Sequence, residues 1–133
     1  MPEIAAAFGV TDGYWPPTRD WKIFLKASEF NDPPPARLFV LVDMREDSIV
    51  WGNFYTSMSG APNSPVQHEF FDLPGMAHDG AAGFSFAAGH TELHRWQDRR
   101  TVPPLLPPVP RTRFSSPNNA DIVWLQQHTT GAK

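Results

Sequence analysis

The chain has 133 residues, with 11 Lys and Arg against 14 Asp and Glu and a net charge of -3, so it lacks the basic footprint that phosphate backbones require and nucleic acid is disfavoured. One domain spanning residues 1–133 is expected, with 41% hydrophobic and 13% aromatic residues to build a core, while 15 prolines predict short elements and many loops. The absence of cysteine excludes disulfides, thiolate metal sites and cysteine nucleophiles, and no stretch approaches the ~20 apolar residues of a membrane span.

Met1 to Pro17 holds a short Ala-rich segment, then Asp12-Gly13 and Pro16-Pro17, which predicts one helical turn followed by a loop. In DWKIFLKASEF the alternation of Trp21, Ile23 and Leu25 predicts a strand over Trp21 to Leu25, against a helical stripe of Phe24, Leu25 and Phe30. Asn31 to Pro35 is a connector that no regular element can cross. Leu38 to Val42, a continuous apolar run rich in strand-forming residues, predicts a central strand. Asp43, Glu46 and Asp47 follow it; they are hard oxygen donors able to hold calcium, but more often such residues simply cap a turn. Ser48 to Tyr55 predicts a strand bent at Gly52-Asn53, and Met58 to Pro65 a loop.

The clearest strand-turn-strand pattern lies within Phe70 to Trp96, which also carries three of the five histidines. A two-residue loop at Ala88-Gly89 pairs Gly83 to Ala87 with His90 to Trp96, so that Ser85 faces Glu92 and Gly83 faces His94. In that register Phe84, Phe86, Thr91 and Leu93 form the buried face. Ala88 would then need positive φ, which costs an alanine ~1 kcal/mol, and Ala88→Asp should raise stability. His78-Asp79 before the hairpin suits a turn in which Asp79 bonds the backbone of Ala81. Thr101 to Arg113, with Pro104, Pro107 and Pro110 in step, predicts a rigid strap packed across the sheet by Leu105, Leu106 and Val109, against the competing reading of a ligand for an aromatic-groove module. Asn118 or Asn119 can cap a helix over Ala120 to His128 with Ile122, Val123 and Leu125 inward.

His90, Glu92 and His94 share a face of the hairpin strand, which is either a metal site or a solvated sheet face. They do not form the zinc-protease signature, in which Glu adjoins the first His on a helix. The serines lack a nucleophile context, and no Gly-rich loop precedes a helix to cradle phosphate. Most tryptophans are expected in the core, but exposed together they could stack sugars.

Three segments carry a resemblance. His78, nine residues, Ala88-Gly89, then His90 and His94-Arg95-Trp96 is similar to the signature of the prepilin-type domain of bacterial type II secretion pseudopilins: His, nine residues, Asp-Gly, a second His and an HRW-like tail. Only the Asp departs, replaced by Ala88. LFVLVDMREDSI at Leu38 to Ile49 resembles that family's strand ending in an acidic turn, and SSPNNADIVWLQQHT at Ser115 to Thr129 its C-terminal segment. The match runs from about Pro33 onward.

The resemblance implies an α+β, pilin-like antiparallel sheet with short helices and a long Pro-rich loop. The N-terminal hydrophobic helix would be absent from this stretch, leaving an apolar groove where it packs. It further implies a non-enzymatic structural subunit of a type II secretion pseudopilus or type IV pilin-like filament, in the periplasm and envelope of a Gram-negative-type bacterium. Its partners would be other pseudopilin subunits and the secretion machinery, with membrane contact only through that helix. Major pseudopilins hold calcium in a C-terminal loop that Asn119 and Asp121 match in part, although fewer carboxylates are present here. The alternatives are an envelope module binding metal or carbohydrate through His90, Glu92 and His94 or exposed aromatics, and a metal-dependent hydrolase on the same residues.

Overall fold

The computed structural model describes residues 4–6, 21–22, 24, 26–49, 54–105 and 113–132. Its fold is α+β, with three small antiparallel sheets and, among the described residues, one α-helix. Strand β1 (Ile4–Ala6) pairs with β3 (Tyr55–Ser57). Strand β2 (Phe39–Val42) lies beside β5 (Ala81–Phe86), which pairs in turn with β6 (Thr91–Arg95). Two-residue strands β4 (Glu69–Phe70) and β7 (Phe114–Ser115) make the third sheet. Helix α1 spans Ala120–Gln127.

Phe84 of β5 is the hub of the core. It makes edge-on contacts with Phe39 at 5.1 Å, Trp96 at 5.9 Å and Trp124 at 4.9 Å between ring centroids, the geometry that the ring quadrupole favours. Helix α1 adds Ile122 and Leu125 to the same cluster. Its start is fixed by Asn119, whose side-chain oxygen accepts from the Asp121 N–H at 2.9 Å, as expected for an Asn before a short apolar helix. Burial of Ile122 and Leu125 follows the sequence pattern, while Val123 is only half-buried.

Four expectations are corrected. The apolar run at Leu38 to Val42 is an edge strand, because β5 lies in the centre of its sheet; Leu41 is 67% exposed. The hairpin turn is one residue longer than expected. Gly89 N–H donates to the Phe86 carbonyl at 2.9 Å with Gly89 at φ 99°, and Phe86 N–H donates to His90. This is a tight turn followed by a left-handed glycine, the usual three-residue hairpin loop. Ala88 is not among the residues with positive φ, so the predicted strain at that position does not exist. The extra residue moves the register by one: Phe84 faces Glu92, Ala82 faces His94 and Gly83 faces Leu93. Since side chains alternate, the slip exchanges the faces of β6 relative to β5; Leu93 is 66% exposed and Thr91 is exposed.

The third correction is at the N-terminus, where Ile4–Ala6 is a strand and not a helical turn; positions 7–17 lie outside the described residues. The fourth concerns Asp79, which holds φ 55° and accepts from Arg95 through its carbonyl at 2.6 Å, while the turn is closed by Gly80 N–H to the Met76 carbonyl and His78 N–H to the Ala81 carbonyl. Trp21 forms a single bridge to Ala132, and Ala27–Glu29 is a short 3-10 turn; Ile23 and Leu25 of the expected strand lie outside the described residues. So do the Gly52-Asn53 bend and Leu106, Pro107, Val109 and Pro110 of the expected strap. Ser48 ends a 3-10 turn from Glu46, and the strand that follows is Tyr55–Ser57. Among the described residues no helix is long and apolar enough to cross a membrane.

Candidate functional site

His90, Glu92 and His94 do share a face of β6, but it is the face that carries Phe84 and Phe86 on β5 and looks toward α1. His90 stacks on Phe86, with centroids 4.7 Å apart and rings 3° from parallel. His94 stacks on Trp124 at 3.7 Å and 17°, and Trp124 stacks on His128 at 4.1 Å and 20°. The i, i+4 spacing of Trp124 and His128 places them on one side of the chain as it leaves α1, and the longer hairpin turn brings His94 to meet them. The sequence singled out His94 but neither Trp124 nor His128 as its partners, because a pairing between helix and hairpin has no local signal.

Burial lowers the pKa of His94, opposed by the negative charges of Asp121 and Glu92. Burial likewise lowers that of His128, whose Nδ1 lies 2.7 Å from the Trp124 carbonyl. Both imidazoles are therefore neutral near pH 7, and each is spoken for by an aromatic ring. His90 Nε2 and Glu92 Oε1 are 3.9 Å apart. Among the described residues no group of three His, Cys, Asp or Glu side chains is arranged to hold a metal ion.

His78 and Ala88-Gly89 bracket strand β5. The His78 ring lies across the end of β2, its Nε2 3.3 Å from Asp43 Oδ2. That same oxygen accepts from the Gly83 N–H at 2.9 Å, and Asp43 N–H donates to the Gly83 carbonyl. A Cβ on Gly83 would stand 2.9 Å from Asp43 Oδ2, so glycine at this position is what lets the carboxylate fold back onto the strand. Asp43 thus ties β2 to β5 instead of standing free in a ligand loop.

Asp47, the other acid of that turn, pairs with Arg45 at 2.7 Å with both side chains almost fully buried. Arg45 also donates to the carbonyls of Pro103 at 2.6 Å and Pro104 at 3.1 Å. The pair therefore fastens the entry of the Pro-rich segment to the end of β2, with Arg45 supplying the extra bonds that a buried ion pair needs. Glu46, the third acid, opens the 3-10 turn Glu46–Ser48 and makes no such tie among the described residues.

Asp121, matched in part to a calcium loop, is buried at the first turn of α1. Its carboxylate accepts from Gln97 N–H at 3.1 Å, Asp98 N–H at 2.9 Å and Thr101 Oγ1 at 2.6 Å. Asn119, also buried, donates to Thr101 Oγ1 and Ser116 Oγ. The donors around Asp121 turn hydrogens toward it, which is the polarity that satisfies an anion and the opposite of a cation cage.

Sequence reasoning passed over Asp72. It lies between Phe71 and Leu73, is 1% exposed, and accepts one bond, from Tyr55 N–H at 2.8 Å, leaving Oδ1 without a partner. Burial raises its pKa to about 7, against the lowering effect of the Tyr55 bond. The one available signal was an acid inside an apolar run, FFDLP.

No family model matches this chain, and neither the curated proteins nor the solved structures contain a match to it.

Proposed function

We propose that this chain is the head of a pseudopilin-like subunit, a non-enzymatic structural protein of a secretion pseudopilus or related filament in the bacterial envelope. The observation that carries this reading is the fit of the signature spacing to a structural unit. His78 stands on the turn before β5 and Ala88-Gly89 form the turn after it, so the interval is the length of one strand with its connections. The residues of the motif hold a hairpin together, which is the behaviour of a fold signature and not of a reacting group. Three ionisable side chains are committed to the fold: Asp121 to three donors, Arg45 to Asp47 and two carbonyls, His94 to Trp124.

On this reading the sheet β2-β5-β6 is the pilin-like sheet. Its outer face forms a groove of about 480 Å³ with small residues Gly83 and Ser85 on its floor and Leu41 and Leu93 at its sides. A hydrophobic helix fused ahead of the head would lie there. The test is to place the chain behind a prepilin leader and hydrophobic helix in a strain with an assembly apparatus. Recovery of the subunit in sheared filaments, or crosslinked to neighbouring pilins, is the expected outcome. A subunit that is processed and folded yet never joins a filament would count decisively against it.

The alternative, an envelope module that binds metal or carbohydrate, rests only on His90, Glu92 and His94 sharing a face of β6. It requires zinc or a glycan to raise the melting temperature in proportion to occupancy, and a Glu92→Gln variant to lose that response.

A further inference from the structure

The two edges of the sheet β2-β5-β6 are finished differently. Strand β2 is irregular between Phe39 and Leu41 and gives its Phe39 N–H to the His128 carbonyl at 3.0 Å, so the end of α1 covers part of that edge. No other described residue covers strand β6 in this way: Thr91, Glu92, Leu93 and Arg95 are all exposed. Two bonds at the ends of the hairpin fix its phase, Phe86 N–H to the His90 carbonyl at 2.9 Å and Trp96 N–H to the Gly80 carbonyl at 3.0 Å. Bonding alternates along an antiparallel strand. The backbone groups of His90, Glu92, His94 and Trp96 therefore face β5, and those of Thr91, Leu93 and Arg95 point away from the sheet, where they meet no backbone partner among the described residues. An edge of this kind is a template for another strand.

We propose that β6 pairs antiparallel with β6 of a second copy of this chain, about a twofold axis at Leu93, joining the two sheets into one. Thr91-Glu92-Leu93-His94-Arg95 is self-complementary in that register. Leu93 meets Leu93, Thr91 meets Arg95, and Glu92 meets His94 on both sides of the axis. The residues that meet with free backbone groups are the three whose N–H and C=O point outward, so each of these pairs exchanges two hydrogen bonds. Glu92 and His94 fall at the positions between, where facing side chains come closest. The nearest registers that keep the same backbone phase centre on Glu92, which sets Glu92 against Glu92 and is unfavourable across a sheet, or on His94, which sets the exposed Leu93 against Arg95. Only the Leu93 axis sets Leu93 against Leu93 and keeps the two Glu92 carboxylates apart. Arg95 does not obstruct it, since its guanidinium is held along its own chain by Asp79.

A single strand pair is a small interface, so the dimer should be weak and reversible, half-formed at a concentration on the order of 0.1 mM. The pairing makes no use of the filament reading and is tested on the chain as it stands. Sedimentation over a concentration series up to about 1 mM should show monomer passing to dimer. The chain has no native cysteine, so an introduced one reports alone. Leu93→Cys should form a disulfide-linked dimer on oxidation, because facing residues in a bonded pair are ~5.5 Å apart between Cα atoms, within disulfide reach. Thr91→Cys alone should not, because its symmetry mate lies four residues along the facing strand, ~14 Å away. Mixing Thr91→Cys with Arg95→Cys should restore the crosslink. Leu93→Pro removes one outward N–H while leaving the bonds to β5 in place, and should weaken the dimer by about ten-fold or more.

A chain that stays monomeric throughout and gives no Leu93→Cys dimer overturns the proposal, whatever other strand the edge accepts. Equal crosslinking at positions 91 and 93 overturns it too, as random collision or another register. A folded Leu93→Pro variant that dimerises like the parent does the same. Should Leu93→Pro fail to fold, the cysteine series decides the matter.

Discussion

The carboxyl of Asp72 accepts a single hydrogen bond inside the core, and burial raises its pKa from 3.8 to about 7. Between those values the folded state holds a proton that the unfolded state has lost, so stability falls as pH rises from about 4 to about 7 and is level beyond. The full shift corresponds to ~4 kcal/mol as an upper bound, which relaxation around the site reduces. Asp72→Asn keeps an oxygen for the Tyr55 N–H and cannot ionise. It should be more stable than the parent by about 1–2 kcal/mol at pH 8 and should lose that advantage near pH 4. The three histidines whose pKa burial lowers, His68, His94 and His128, act in the opposite sense, losing stability as pH falls below about 6.5. They are common to both proteins and cancel in the difference between their melts. If the difference does not change with pH, burial does not raise the pKa of Asp72. At the hairpin, Gly89→Ala should cost about 1 kcal/mol through backbone conformation alone, since a Cβ there meets nothing within 4 Å. Ala88→Asp should leave the melting temperature unchanged, because Ala88 does not hold positive φ; a rise would restore the two-residue turn.

Helix α1 and its Asn119 cap were legible because every contact that defines them is local: an Asn, then Ile122 and Leu125 at the right spacing. The same segment hid the role of Asp121, whose donors come from Gln97, Asp98 and Thr101, some twenty residues earlier and joined to it only by the fold. Asp121→Ala leaves those three donors buried or half-buried without an acceptor and should lower stability by about 3 kcal/mol. Because the carboxylate is already satisfied, a calcium chelator should not shift the melting temperature of the parent protein. A chelator-dependent fall would assign calcium to this turn after all. The hairpin shows how a small misreading spreads. Gly89 was recognised as a turn residue, but the loop takes one more residue than a two-residue turn. That moves Leu93 to the surface and turns His90, Glu92 and His94 toward Phe86 and Trp124. Loop length by one residue is a matter of tertiary packing that composition does not encode.

Across the whole molecule, the α+β class, the strands at Leu38 to Val42 and around β5 and β6, and the aromatic core could be anticipated from residue type and alternation. The order of strands could not, since an apolar run can be central in a sheet or covered at its edge by another element. Nor could the link between distant turns made by Arg45, which joins the end of β2 to Pro103 and Pro104. Arg45→Ala would leave Asp47 buried beside lost partners, with a cost of about 3–5 kcal/mol. It should also make the chain after Thr101 the first place that a protease cuts, while an unchanged cleavage pattern would show the Pro-rich segment to be held by other contacts.

Lys22 N–H donates to the Gly131 carbonyl, Thr130 Oγ1 donates to the Lys22 carbonyl, and Trp21 bridges to Ala132. On a ribosome adding 5–20 residues per second, roughly 5–20 s pass between the emergence of Trp21 and that of its partners. During that interval the indole has Met58 and Ala61 to pack against but not the residues that bridge to its backbone, and the fold cannot be completed by any order of earlier events. Emergence of residues 130–132 is the step that seals it, which makes the nascent chain a client for whatever shields apolar surface in the compartment where it is made.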